Sequence, residues 1–316
     1  MQPLILGIHH ITAISGHPQQ NVDFYSGILG LRLVKKTINF DAPDVYHFYF
    51  GDALGRPGTV FTTFPFVGAR KGSKGVGELT YTAFSVGIDS LGFWEQRLKR
   101  FGIPVSNRLT RFGASLIRFE DHDGMGIELV ASDADDREGW SCGTVPLVHA
   151  IKGFYGATLV LRGKELTEKL LLEVMNYRYL GQEGNRYRYG IAGLPGDIVD
   201  ILVDPTGQRG MQSAGTVHHL AFRTATAETQ LEMQQLLHQK GYGVTEVRDR
   251  NYFTSIYFRE PGGVLFEVAT DTPGFAIDEE EAHLGELLKL PDWAEPKRKV
   301  IESALVPITN QPENYV

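Results

Sequence analysis

Residues 111–133, RFGASLIRFEDHDGMGIELVASD, lie without gaps over residues 250–271, RNYFTSIYFREPGGVLFEVATD, apart from one residue at the far end, and this repeat organises the rest of the chain. Arg111 falls on Arg250, and Glu128 falls on Glu267. In each copy two apolar runs flank a glycine-containing turn, which predicts antiparallel strands joined tightly. Working outward, a unit of one strand, one helix and three further strands recurs roughly every 60–70 residues. Four copies are expected: Leu4 to Phe66, Glu78 to Asp135, Ala150 to Gln208 and Gly215 to Asp271. The first helix is placed near Asn21 to Gly30, and the fourth at Ala227 to Lys240, closed by Gly241. GARKGSKGVG, residues 68–77, reads as a flexible linker, and the charged stretch DADDREGWSCGTVP, residues 133–146, leads into the third module. Residues 272–316 fall outside the repeat. DEEEAHLGELLKL and KRKVIESAL within them predict two short helices packed back on the body. The expected domains are therefore 4–135, 150–271 and a helical extension over 272–316.

Overlaying the modules tests where chemistry can sit. The first-strand position reads His10, Tyr81, Gly156 and His219, and the last-strand position reads Thr63, Glu128, Asp200 and Glu267. Only the first and fourth modules together supply two imidazoles and a carboxylate. His10 lies in GIHHITAIS, His219 in GTVHHLAFR and Glu267 in PGGVLFEVAT. Two histidines and one carboxylate form a facial triad, which suits non-haem Fe(II) and leaves positions open for further ligands. A carboxylate in a run as apolar as VLFEVA needs a cation or donors to offset its desolvation, and a divalent metal satisfies that need. The metal reading requires modules 1 and 4 to share one half-barrel, with modules 2 and 3 forming a second, metal-free one. The fold class expected is α+β, four βαβββ modules in two half-barrels. Thr63, at the remaining position, is a poor ligand, so three protein ligands and an open site are expected. Period-two alternation lets one member of each histidine pair face the interior, without saying which.

Bulk properties mainly exclude. The chain has 316 residues, 42% hydrophobic and 22% charged, with a net charge of -7 and no basic run, so no nucleic-acid partner is expected. The apolar start of MQPLILGIHH is too short for a signal peptide. No run approaches the ~18 apolar residues of a membrane span, so no membrane partner and a cytoplasmic location are expected. The single cysteine, Cys142, cannot form an intramolecular disulfide and has no evident base beside it.

Five segments together carry a family resemblance: IHHIT through His9 and His10, YHFYFGDALGRPGTVFTTFP from Tyr46, GQEGNRYRY from Gly181, VHHLAF from Val217 and RNYFTSIYFREPGGVLFE from Arg250. With them nearly the whole chain resembles the vicinal oxygen chelate superfamily, and within it the dioxygenases that open para-hydroquinones. The resemblance implies His10, His219 and Glu267 as iron ligands, with Mn(II) an alternative metal. It places His9, Thr12, His218, Arg250 and Tyr257 around the substrate, with Tyr257, Arg250 and His218 expected to take part in catalysis and His9 and Thr12 in substrate binding. It implies an Fe(II)-dependent extradiol-type reaction between a small aromatic hydroquinone and O2, in catabolism or quinone detoxification; whether the chain forms a homo-oligomer is left open by the sequence. Two other activities use the same modules. A glyoxalase-type isomerase normally has a fourth protein ligand where Thr63 is placed, and a ligand-sequestering protein of the bleomycin-resistance type needs no metal.

Overall fold

The computed structural model describes residues 3–316. Module 1 comprises β1 (Ile8–Ser15), α1 (Pro18–Val22), β2 (Arg32–Asn39), β3 (Ala42–Gly51) and β4 (Val60–Pro65). Module 2 comprises β5 (Glu78–Val86), α2 (Leu91–Arg100), β6 (Leu109–Arg111), β7 (Ala114–Glu120) and β8 (Gly126–Ala131). Module 3 follows as β9 (Gly153–Leu161), α3 (Glu165–Glu173), β10 (Arg178–Glu183), β11 (Arg186–Gly190) and β12 (Ile198–Val203). Module 4 contains β13 (Thr216–Thr224), α4 (Ala227–Gln239), β14 (Arg248–Asp249), β15 (Phe253–Arg259) and β16 (Leu265–Pro273).

Two eight-stranded sheets result. One runs β14-β15-β16-β13-β1-β4-β3-β2 and joins modules 4 and 1; the other runs β10-β11-β12-β9-β5-β8-β7-β6 and joins modules 3 and 2. The expected pairing of modules is thus the observed one, and the fold is α+β. Within each module the first and last strands lie parallel, as β1 does beside β4 and β13 beside β16, because the helix carries the chain back to the starting edge. Between modules the two first strands pair antiparallel, β1 with β13 and β5 with β9. Among the described residues no helix is long and apolar enough to cross a membrane.

Several local expectations change. The first helix starts earlier than Asn21, because the His17 ring accepts a hydrogen bond from the Gln19 N–H and Pro18 stands at its first position, where its missing N–H costs nothing. The helix then widens into a π-turn over Asp23–Ile28 and ends before Gly30, whose φ of +71° lets the chain reverse. The linker GARKGSKGVG is tied down: Lys71, Ser73 and Val76 pair with Ala214, Met211 and Arg209 of the segment before β13. In the C-terminal extension only KRKVIESAL forms an α-helix, α5 (Arg298–Ala304), while the acidic stretch contributes one 3-10 turn at Glu281–His283. A buried cation draws its carboxylates away. Lys35 of β2 is wholly buried and pairs with Asp278 at 2.6 Å and with Glu279. The Glu279 carboxylate also accepts from the Leu287 backbone N–H at 3.2 Å. The extension continues along the outer edge of β2, where Lys289 N–H donates to the Lys36 carbonyl at 2.9 Å, and so covers an otherwise unpaired strand edge.

Lys35→Met leaves Glu279 buried without its cation. Loss of one partner from a buried pair typically costs about 3–5 kcal/mol, and chemical denaturation of the variant is expected to show a loss of that order with the m-value retained.

Candidate metal centre and its pocket

The antiparallel ladder between β1 and β13 is broken at two places. Ile8 faces Phe222 and His10 faces Ala221, so His9 is an extra residue in β1; Thr12 faces His219 and Ala13 faces Val217, so His218 is an extra residue in β13. Each histidine pair therefore contains one β-bulge, placed reciprocally. A bulge suspends strict alternation, so neither second histidine turns away from the centre. His9 Nδ1 lies 2.8 Å from His10 Nδ1, and His218 Nδ1 lies 2.8 Å from His219 Nδ1.

His10 and His219 point their Nε2 atoms at one another across 3.1 Å. Glu267 reaches the same point from β16, its Oε2 standing 2.9 Å from His219 Nε2 and 3.4 Å from His10 Nε2. All three side chains are buried. The Ser255 hydroxyl holds Oε1, whereas Oε2 is enclosed without a hydrogen-bond donor. An orphaned buried carboxylate oxygen between two imidazole nitrogens fits a cation bound by all three. Two donors at right angles, each about 2.1 Å from an ion, stand about 3.0 Å apart, close to the separations observed. Burial pushes the Glu267 carboxyl up, but the neighbouring imidazoles outweigh it and hold the group well below the usual carboxylate range. Burial lowers His219. An ionised carboxylate and a neutral imidazole are the forms that bind metal.

The second histidines fix the orientation of the first. An imidazole that offers Nε2 to a metal carries its proton on Nδ1, so His10 donates to His9 Nδ1, and His9 then donates from Nε2 to the Thr270 carbonyl at 3.1 Å. His218 accepts from His219 in the same way, with its Nε2–H on the pocket side. Burial first, and the adjacent imidazole second, bring His9 and His218 down to about 3, so both are neutral near pH 7.

A cavity of about 300 Å³ opens on the triad. Its apolar wall includes Phe40, Phe64, Phe66 and Phe253, and its polar groups include His47, Tyr49, His218, Arg250 and Tyr257. Tyr257 stands directly opposite Glu267 in the β15–β16 ladder, as the tight REPGG turn requires. Arg250 Nε donates to the Tyr257 hydroxyl at 3.1 Å, which leaves the phenolic proton available to the cavity. Burial, reinforced by Glu267 and opposed by Arg250, pushes the Tyr257 pKa up, so the phenol keeps its proton. His9 and Thr12 do not line this cavity. His9 lies behind His10 against the Phe253 edge, and Thr12 hydrogen-bonds the Thr62 hydroxyl at 2.8 Å.

The position opposite the triad needs correction by one residue. Thr63 turns to the helix side and donates to Asn21 at 2.5 Å, while Thr62 faces the cavity side and contacts His47 Nε2 at 2.8 Å. The shift arises because Tyr49, not Phe48, is the cavity-facing neighbour across the ladder, with Thr62 as its partner. His47 and Tyr49 are among the polar cavity groups absent from the sequence-based set, with Asn39, Asp41 and Gln212. The His47-x-Tyr49 spacing inside YHFYF places them on one face, and the Tyr49 hydroxyl lies 2.9 Å from His47 Nδ1. Burial, with His10 and His219 nearby, keeps His47 well below its ordinary value and therefore neutral.

The other half shows what the same position requires without histidines. Glu128, the counterpart of Glu267, is fully buried and bound by Arg111 at 2.6 and 2.9 Å and by Arg118 at 2.8 Å. Asp200 is held likewise by Arg186 and Arg188. In repeat register Arg111 is Arg250 and Arg118 is Tyr257. Arg250 has exchanged its carboxylate for the phenol, and the space filled by guanidinium in one half is cavity in the other.

The family model of the Glyoxalase/Bleomycin resistance protein/Dioxygenase superfamily matches residues 7–129 and 151–268. The chain is 49% identical over 302 residues to the candidate ring-cleaving dioxygenase MhqO of Bacillus subtilis (strain 168), covering 96% of each chain. It is 36% identical over 316 residues to the chlorohydroquinone/hydroquinone 1,2-dioxygenase of Sphingobium indicum, covering 97% of this chain and 96% of the relative. A crystal structure of a candidate dioxygenase from Bacillus subtilis superposes with a TM-score of 0.94 at 48% identity, over 97% of this chain and 98% of that one. The chain belongs to the Glyoxalase/Bleomycin resistance protein/Dioxygenase superfamily.

Proposed function

We propose that the protein is an Fe(II)-dependent, extradiol-type dioxygenase that opens the ring of hydroquinones with O2. The observation that carries this reading is the convergence of three protein ligands, His10, His219 and Glu267, with a threonine where a fourth would stand. Iron bound there would act as Lewis acid and as a template for substrate and O2. Mn(II) accepts the same donor set. Similarity to a hydroquinone 1,2-dioxygenase over nearly the full length supports the substrate class.

The chain's own residues supply the rest. The phenylalanine walls exclude water and hold an aromatic ring edge-on to the triad, which reduces the entropic cost of bringing the reactants together. Tyr257 donates a hydrogen bond to a substrate oxygen, and Arg250, through Nε on that hydroxyl, keeps it aimed while stabilising developing negative charge. His218 is placed to pass a proton on the pocket side. His9 and Thr12 act from behind, His9 by fixing the tautomer of His10 and Thr12 by holding Thr62. An isomerase of the glyoxalase type is disfavoured by the missing fourth ligand, and a metal-free sequestering role by the orphaned Glu267 oxygen.

Anaerobic loading with Fe(II) followed by oxygen-electrode and absorbance assays on hydroquinone, methylhydroquinone, chlorohydroquinones and catechol tests the reading. Oxygen uptake with the hydroquinones is expected, and oxygen-independent conversion of a thiol adduct would replace it with the isomerase. Replacement of His10, His219 or Glu267 by Ala is expected to abolish stoichiometric metal binding, measured by elemental analysis. Glu128→Ala retains metal, since its half contains no imidazole beside the carboxylate. Tyr257→Phe keeps metal and lowers turnover by about ten- to a thousand-fold. Arg250→Ala lowers turnover as well; normal turnover with a reduced melting temperature would instead make it a fold residue like Arg111.

A further inference from the structure

The metal-facing cavity is not isolated. His218 and Gln212 also line a second cavity of about 290 Å³ on their far side, together with Glu78, Arg209 and Arg259. That cavity shares Gly77, Arg209 and Gly263 with a third, of about 580 Å³, which is bordered by Arg162 and Glu165. The three lie in a row along the junction of the two half-barrels, neighbours sharing wall residues, where the linker before β5 pairs with the segment before β13. The Glu78 side chain lies against Gly210, where a Cβ would fall 2.3 Å from its carboxyl carbon and push it aside.

In the middle cavity the guanidinium groups of Arg209 and Arg259 outnumber the carboxylates. Arg259 spends one N–H on the Gly263 carbonyl at 2.9 Å, and among the described residues neither Arg259 nor Arg209 belongs to an ion pair. Glu78 is the one carboxylate in the middle cavity. Burial raises it to about 7 against the pull of Arg209, so near neutral pH it offsets the two guanidinium charges only in part. Nothing in the chemistry at the triad uses these groups.

Ring opening changes the charge of the ligand. A neutral hydroquinone takes up both atoms of O2, and the bond between a hydroxylated carbon and its neighbour breaks. The first carbon becomes a carboxylic acid and the second, where it bears hydrogen, an aldehyde; the acid then loses its proton to water. We propose that the cavity lined by Arg209 and Arg259 is a binding site for an open-chain unsaturated carboxylate, and that it carries the ring-opened product away from the triad past His218. The assignment of the ligand rests on the dioxygenase reading, but the site itself does not. A separate exit for anions leaves the apolar mouth beside Phe40 to the neutral substrate.

The test uses cis,cis-muconate as a non-reacting six-carbon carboxylate probe, titrated calorimetrically into the full-length protein prepared without metal. Arg209→Gln and Arg259→Gln are each expected to weaken binding about tenfold, and Glu78→Gln to strengthen it several-fold. Arg108→Gln, on an exposed helix-side ion pair, leaves it unchanged. Muconate bound equally by the parent and by the Arg209→Gln/Arg259→Gln double variant would overturn the proposal, as would binding that disappears in Glu267→Ala but not in the double variant. Oxygen uptake on hydroquinone is measured separately. Carboxylate binding that depends on the arginines, without oxygen uptake, would reject the dioxygenase reading and keep the anion site; uptake with arginine-independent binding would do the reverse.

Discussion

The pairing of β1 with β13 is the contact on which the site depends. It places the first strand of the first module beside the first strand of the fourth, and its two reciprocal bulges set His10 and His219 facing each other at 3.1 Å. The bulges serve a second purpose. In a regular ladder His9 and His218 would lie on the outer face; as extra residues they come within hydrogen-bonding distance of the Nδ1 atoms of His10 and His219. A histidine pair with one bulged member thus turns one imidazole Nε2 into the centre and supplies the group that fixes its tautomer.

The two half-barrels solve one electrostatic problem in two ways. Each buries a carboxylate at the same register, and a buried carboxylate needs a positive partner. In the second half four arginines surround Glu128 and Asp200, with aromatic rings stacked on the guanidinium planes of Arg118 and Arg188. The cluster fills its own space and leaves only about 10 Å³. In the first half Tyr257 and Arg250 occupy the two arginine positions but turn to each other, so the carboxylate is left without a guanidinium partner and a cavity of about 300 Å³ remains. The shift from structural ion pair to open site comes down to what stands at these positions.

The C-terminal extension shapes the mouth of that space from outside the repeat. Its carboxylates bind Lys35, Tyr252 donates to Asp278, and Phe275 packs against Tyr49 and Tyr252. Trp293 meets Phe40 edge-to-face with ring centres 6.0 Å apart. Phe40 and Asp41 form the β2–β3 turn at the cavity rim, with Asp41 3.6 Å from Arg250. Segments remote in sequence thereby hold the rim in place over the triad.

The repeat, the pairing of modules 1 with 4, and the convergence of His10, His219 and Glu267 were legible in the sequence because each depends on residue type at an equivalent position, and equivalence survives without coordinates. Two imidazoles and one carboxylate could meet only if those modules shared a sheet. The faces of individual side chains were not legible. Whether Thr62 or Thr63 looks inward, and whether His9 and His218 turn away, depend on bulges and ladder register, which arise from how two distant strands pair and leave no local mark in composition. The same holds for the acidic tail, whose helical pattern yields to the pull of Lys35, and for the linker, whose flexibility in isolation is removed by pairing with residues 209–214. Local sequence determined which groups were present and on which strands; tertiary pairing decided which of them face one another, because a one-residue shift in a ladder exchanges the two faces of a strand.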